Sequence, residues 1–137
     1  MKKFKVAVVG ATGMVGNKFL EVLTERQLPV EEYYLYASKR SAGKVINFMG
    51  KDHTVIELTE ENIKKYPVDF ALFSAGGSTS GNFAPIFADM GAIVIDNSSY
   101  WRMNKEVPLV RTIINYDCAV ISEYRCKVAW CRTTSRE

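Results

Sequence analysis

From residue 4 to about residue 110 the chain alternates short apolar runs of β type with stretches whose apolar residues recur at helical spacing. Strands are predicted at Lys5–Val9, Glu32–Ala37, Lys44–Phe48, Thr54–Glu57, Phe70–Phe73 and Ile93–Ile95. Helices are predicted at Met14–Arg26, Glu60–Lys65 and Gly81–Met90, with Thr59 as a cap for the second and Pro67 ending it. Such alternation predicts an α/β fold with a doubly wound, mostly parallel sheet and helices on its faces. Met49-Gly50-Lys51-Asp52, a turn between two apolar runs, predicts a small hairpin inserted in that plan. After Val110 the periodicity fades. The expected organisation is one domain over 1–110 and a divergent or truncated tail over 111–137 that does not form the next strand and helix.

The first strand breaks into Gly10-Ala11-Thr12-Gly13-Met14-Val15-Gly16 and then opens a helix carrying Phe19, Leu20, Val22 and Leu23 on one side. In a Rossmann-like domain the first glycine permits the tight turn, the second lets a pyrophosphate approach the backbone, and the third lets helix and strand pack closely. The spacing is GxxGxxG rather than GxGxxG, so the position after an N-terminal strand and before an amphipathic helix carries the assignment. The second strand runs into Tyr36-Ala37-Ser38-Lys39-Arg40-Ser41, with hydroxyls and cations where an NAD site places a carboxylate. An acid there would repel a ribose 2′-phosphate, whereas an arginine fork and a serine hydroxyl can bind it, so NADP is the expected cofactor. Ser74-Ala75-Gly76-Gly77-Ser78-Thr79-Ser80-Gly81 and Asp96-Asn97-Ser98-Ser99-Tyr100-Trp101-Arg102 follow two further strands, at the sheet edge where this architecture holds its ligand. Arg102 suits an anion or a pairing with Asp96 equally well.

Composition narrows the function classes. The 137 residues suffice for one domain with a core, 47% being hydrophobic and 24% charged. A net charge of +3, with lysines and arginines scattered, does not indicate nucleic-acid binding. No apolar stretch is long enough to cross a bilayer and no signal-peptide core follows Met1, so a cytoplasmic protein is expected. The cysteines Cys118, Cys126 and Cys131 lack CxxC spacing, which suggests neither a disulfide framework nor a metal site.

Together, the glycine corner, Ala37-Ser38-Lys39-Arg40-Ser41-Ala42-Gly43, Phe73-Ser74-Ala75-Gly76-Gly77, and Asp96-Asn97-Ser98-Ser99 through Arg102 to Val107-Pro108-Leu109-Val110 resemble the N-terminal part of aspartate-semialdehyde dehydrogenase. The resemblance covers roughly residues 4–110, and Asn115 can still be in register. It implies an NADPH-dependent reductive dephosphorylation of β-aspartyl phosphate to aspartate semialdehyde, on the way to lysine, threonine and methionine. It further implies that Gly10, Thr12, Gly13, Met14 and Val15 lie under the pyrophosphate and that Ser38, Arg40 and Ser41 meet the ribose phosphate. Ser74, Ala75 and Gly76 would line the crevice, Asn97 would serve the nicotinamide end, and Arg102 would hold the substrate phosphate.

The family also needs a cysteine that forms a thioester and a histidine that activates it. Cys131 stands at the family's distance from Arg102, but Ala129-Trp130-Cys131-Arg132-Thr133 does not match the family's Asn-Cys-Ser/Thr, and His53, the single histidine, sits in the predicted hairpin. No catalytic residue is therefore assigned. Two other readings share the motifs: an N-acetyl-γ-glutamyl-phosphate reductase, and a non-catalytic NADP-binding module. The family is homo-oligomeric, and without its second domain this chain is expected to expose an apolar flank and self-associate.

Overall fold

A computed structural model describes residues 3–101, 103–105, 109–110 and 128–131. Phe4–Val9 forms β1, and its last four residues are at most 5% exposed, as expected for a central strand covered on both faces. Helix α1 (Met14–Arg26) returns the chain to β2 (Val30–Ala37), which pairs parallel to β1 with Val9 opposite Tyr36. β3 (Val45–Phe48) and β4 (Lys51–Thr54) form the expected hairpin as a separate antiparallel pair. Its two-residue turn, Met49-Gly50, has positive φ at both positions, the geometry that matches the twist of a hairpin. β5 (Ile56–Glu57) then joins β2, helix α2 (Glu60–Lys65) crosses over, and β6 (Phe70–Phe73) lies on the other side of β1. Helix α3 (Gly77–Asp89) leads to β7 (Ile93–Asp96), and β8 (Leu109–Val110) and β9 (Val128–Cys131) complete the sheet. The order is β5-β2-β1-β6-β7-β9-β8, with every pairing parallel.

The segment after Val110 supplies β9, which inserts between β7 and β8. Val128-Ala129-Trp130-Cys131 is short but β-type, and it finds an open edge of β7 to pair with. The third helix starts four residues earlier than predicted: Gly76 is its N-cap and accepts a bond from the Ser80 amide. Ser80, a residue type that favours helix starts, instead spends its hydroxyl on a tertiary contact described below.

The sheet has two apolar faces. On one, Leu20 and Leu23 of α1 and Phe48 of the hairpin cover Val6, Val8, Tyr33 and Leu35. On the other, Ile63 of α2 and Ala84 and Phe87 of α3 cover Ala7, Val9, Tyr36, Ala71 and Phe73. The expected apolar flank lies on the α1 face beyond β1, where a groove of about 300 Å³ is walled by Leu23, Leu28, Phe70, Leu72 and Ile95. Ile93, next to it on β7, remains 48% exposed. Among the described residues no helix is long and apolar enough to cross a membrane.

Three neighbouring tyrosines of β2 make the core sensitive to alkali. Burial raises the hydroxyl pKa of Tyr33 and Tyr36, and that of Tyr34 reaches about 12 through burial and its bond to Glu32. A raised pKa in the fold means that the unfolded chain releases these protons first. Stability is thus complete below the free tyrosine pKa of about 10 and falls as pH climbs above it. Tyr36→Phe removes the bond from Tyr36 Oη to the Asn62 carbonyl (3.2 Å), at a cost of about 1 kcal/mol near neutrality. Urea midpoints at pH 8 and 10.5 are expected to differ less in Tyr36→Phe than in the parent chain. An equal drop in both would contradict this account.

Candidate functional site

The strand order changes direction between β1 and β6: the chain first builds outward through β2 and β5, then returns to the opposite side of β1. A doubly wound sheet opens a crevice at that point, outside the carboxyl ends of the two strands. At the end of β1 the amides of Gly10 and Ala11 both donate to the Tyr36 carbonyl, at 2.9 and 3.1 Å, which ties the turn to β2. Gly10 has φ +87°, and a Cβ there would lie 2.9 Å from the Ser74 carbonyl oxygen at the end of β6. Ser74 closes the other side, its amide donating to Val9 O at 2.9 Å and its hydroxyl at 3.2 Å.

The tightest contact is at Gly16. A Cβ there would fall 1.9 Å from the Gly10 carbonyl oxygen and 2.9 Å from Ala11 Cα, so only glycine lets α1 start this close to β1. The N-cap of α1, Gly13, makes no side-chain cap bond, and its first turn contains no acid. α3 repeats the arrangement with Gly76. Two helix N-termini with no carboxylate of their own thus flank the crevice, and each presents amide donors and the positive end of its dipole.

The cleft between them has a volume of about 430 Å³. Gly10, Thr12, Gly13, Ser38, Ser74 and Ala75, six of the residues singled out from the sequence, line it together. Met14 and Val15 stand exposed beside it at the start of α1, 89% and 42% accessible. On the β2 side the turn after Ala37 leaves Ser38, Lys39 and Arg40 exposed, whereas Ser41 is buried, its amide donating to the Ser38 carbonyl. Gly76 caps α3, and Asn97 follows β7 with its amide donating to Phe73 O at 3.2 Å. Arg102, Cys118, Cys126, Arg132 and Asn115 lie outside the described residues, and Cys131 contributes only the backbone of β9 to this account.

Ala37 and Thr79, from the strings placed at this edge, also line the cleft, as do Leu58 and Phe83, which escaped the sequence reading. Leu58 directly follows the short β5, and its amide donates to Ala37 O at 2.9 Å. Thr79 and Phe83 stand one helical turn apart on α3, a signal hidden by starting that helix at Gly81. His53 stays in the hairpin, its ring 5.6 Å from that of Phe48, away from every lining residue. The described residues contain no group of acids, histidines and cysteines able to hold a metal ion.

Asp96, the last residue of β7, is not a partner for solvent. It is fully buried, and its carboxylate accepts from the Ser98 amide (2.8 Å), the Ser98 hydroxyl (2.7 Å) and the Ser80 hydroxyl.

Comparison with known proteins agrees with this geometry. Residues 5–120 match the family model described as "Semialdehyde dehydrogenase, NAD binding domain". An aspartate-semialdehyde dehydrogenase of Aquifex aeolicus is 59% identical over 112 residues, which cover 82% of this chain and 33% of that protein. The crystal structure of aspartate semialdehyde dehydrogenase II complexed with ASA from Vibrio cholerae superposes with a TM-score of 0.85 at 40% identity, covering 96% of this chain and 42% of that one. The Candida albicans enzyme, solved with NADP, gives a TM-score of 0.67 at 30% identity over 80% of this chain and 33% of that one. The chain therefore spans about a third of the length of the curated relatives it matches.

The glycine corner yields a stability prediction. Gly16→Ala forces α1 away from the Gly10 carbonyl and is expected to destabilise the chain by about 3 kcal/mol, at the upper end of overpacking costs. Ala in place of Gly13, whose Cβ would find only a 3.4 Å contact, is expected to cost far less. Urea unfolding of the two variants checks the order, and equal losses would contradict the packing argument.

Proposed function

Given that this chain belongs to the semialdehyde dehydrogenase NAD-binding-domain family, we propose that it is the NADP-binding part of an aspartate-semialdehyde dehydrogenase. The close backbone packing that Gly10 and Gly16 permit supports the reading most directly, because it holds the turn after β1 against α1 and β6 and leaves the cleft between two helix starts that carry no acid. Thr12, Met14 and Val15 would hold the pyrophosphate through backbone amides, and Gly13, whose own amide donates to Gly10 O, would let it approach by having no side chain. Leu58 and Phe83 give the cleft apolar walls, and Ser38 and Arg40, exposed after β2, would receive the ribose 2′-phosphate. Ser41, being buried, would act by shaping that turn, and Ser74, Ala75, Gly76 and Asn97 would border the path toward the nicotinamide. When bound, the coenzyme supplies a hydride; the chain's own part is to bind, orient and partly desolvate it.

In this reading the whole protein reductively dephosphorylates β-aspartyl phosphate, with Arg102 as the substrate-phosphate ligand. The named relatives favour it over N-acetyl-γ-glutamyl-phosphate reductase, since each is an aspartate-semialdehyde dehydrogenase. The reading of a non-catalytic NADP-binding module draws on the mismatch around Cys131.

Titration of the purified chain by calorimetry is expected to show tighter binding of NADPH than of NADH. Arg40→Ala should weaken NADPH binding by about tenfold or more, the loss of one charge-assisted hydrogen bond, and leave NADH little changed. Equal affinity for the two coenzymes would overturn the assignment. A second measurement separates binding from turnover. With the thiol and histidine unassigned, the chain alone is expected to show no phosphate-dependent reduction of NADP by aspartate semialdehyde, and steady turnover would contradict this.

A further inference from the structure

Asp96 is an ionisable group with no part in the binding scheme above. Burying a carboxylate is costly unless hydrogen bonds satisfy it, and an apolar side chain would fill the same space with less penalty. Here three donors converge on it, two from Ser98 and one from Ser80. Ser80 is itself fully buried, and its oxygen also accepts from the Trp101 indole N–H at 2.8 Å. The strand end, the helix and the loop after β7 therefore share one hydrogen-bonded unit.

A second, apolar contact reinforces it. Tyr100 lies over α3 at two glycines: a Cβ on Gly81 would fall 2.4 Å from Tyr100 Cζ, and one on Gly77 would lie 3.8 Å from Tyr100 Cβ. The Tyr100 and Trp101 rings meet edge to face at 4.9 Å. Helix α3 thus has two working sides. Thr79 and Phe83 wall the cleft, while Gly77, Ser80 and Gly81 seat the loop that carries Asn97 and leads toward Arg102.

We propose that Asp96 is a positioning residue which, through Ser80, Ser98 and Trp101, fixes the loop of residues 97–101 against α3 and couples it to occupancy of the cleft. The coupling rests on the cofactor reading above; the positioning does not. A ligand that orders the first turn of α3 at Thr79 also orders Ser80, one residue on, and with it the loop. Removing the network frees the loop while leaving the cleft's own contacts in place.

Hydrogen exchange with peptide resolution tests this on the chain as it stands. In Ser80→Ala and Asp96→Asn, exchange over residues 97–101 is expected to rise at least tenfold while that over β6 stays within twofold of the parent. Trp101→Phe, which removes the indole donor together with part of the ring but keeps an aromatic group, serves as the milder variant should the others fail to fold, and is expected to show the same pattern at smaller amplitude. Parallel rises in loop and β6 would mean a general loss of stability and would overturn the proposal, as would no change in the loop. NADP is expected to slow exchange of 97–101 in the parent. In the variants it should bind within about threefold of the parental affinity but no longer slow that exchange. If calorimetry detects NADP binding and the loop does not respond, the coupling is overturned and the cofactor reading stands. If NADP does not bind the parent chain, the cofactor reading and the coupling fall together, and exchange in the unliganded variants still decides the positioning role.

Discussion

The approach of α1 to the turn after β1 sets the terms for everything at the carboxyl edge of the sheet. With no side chain at Gly16, the helix axis sits so close to β1 that the space for a Cβ is taken by the Gly10 carbonyl oxygen. That carbonyl also accepts from the Gly13 amide at 3.1 Å, so the turn is closed on itself and cannot widen without breaking a bond. Gly10 is held equally from the far side by the Ser74 backbone. The crevice is consequently bounded by main chain on two sides, and main chain is the least adjustable wall a protein can offer. With the amides of Gly10, Ala11, Gly13 and Ser74 engaged in holding these walls, the helix starts beside them are fixed in place, with no rotamer entropy to lose when an anion binds there.

Sheet topology explains why the cleft opens there and why the described helices leave part of one sheet face uncovered. The crossover from β1 to β2 runs in one direction along the sheet and those from β5 to β6 and β6 to β7 in the other. Right-handed connections therefore put α1 on one face and α2 and α3 on the opposite one. Among the described helices, α2 and α3, those that follow β5 and β6, both lie on the second face. The α1 side of β6 and β7, with Phe70, Leu72, Ile93 and Ile95, has no described element of its own to cover it. Parallel sheets are ordinarily covered on both faces, and relatives that share this domain are about three times as long. Among the described residues, that gap follows from strand order and not from a weak hydrophobic pattern.

Much of this was legible in the sequence, because local rules and global fold agree over most of the chain. Helices α1 and α2 and strand β6 lie where periodicity and caps put them, and Thr59 caps α2 through a 3.2 Å bond from the Asn62 amide. The glycine corner was readable since each glycine answers a separate steric demand. What escaped was nonlocal. β9 is four residues long and depends on an edge of β7 that no local pattern announces. Leu58 and Phe83 carry no chemical signature, and they meet in the cleft only because β5 and α3 converge on it. The early start of α3 was masked by Ser80 and Gly81, which as isolated residue types signal a helix start or a loop, whereas their small size is demanded by Tyr100 and Asp96.

That last case shows how one string of small residues can serve two demands at once. Gly76 to Gly81 reads from the sequence as room for a ligand, and on one side of α3 that is so, since Thr79 faces the cleft. On the other side the missing side chains make room for an aromatic ring of the protein itself. Helical geometry enforces the division: residues 77 and 81 lie one turn apart on one flank, 79 and 83 on another, and Ser80 points at the strand end between them. A substitution that enlarges Gly77, Ser80 or Gly81 therefore displaces the loop after β7 before it touches the cleft. The arrangement makes α3 a partition between the cleft and the loop after β7, which is why a buried carboxylate at the end of β7 can set the order of that loop without contacting the cleft.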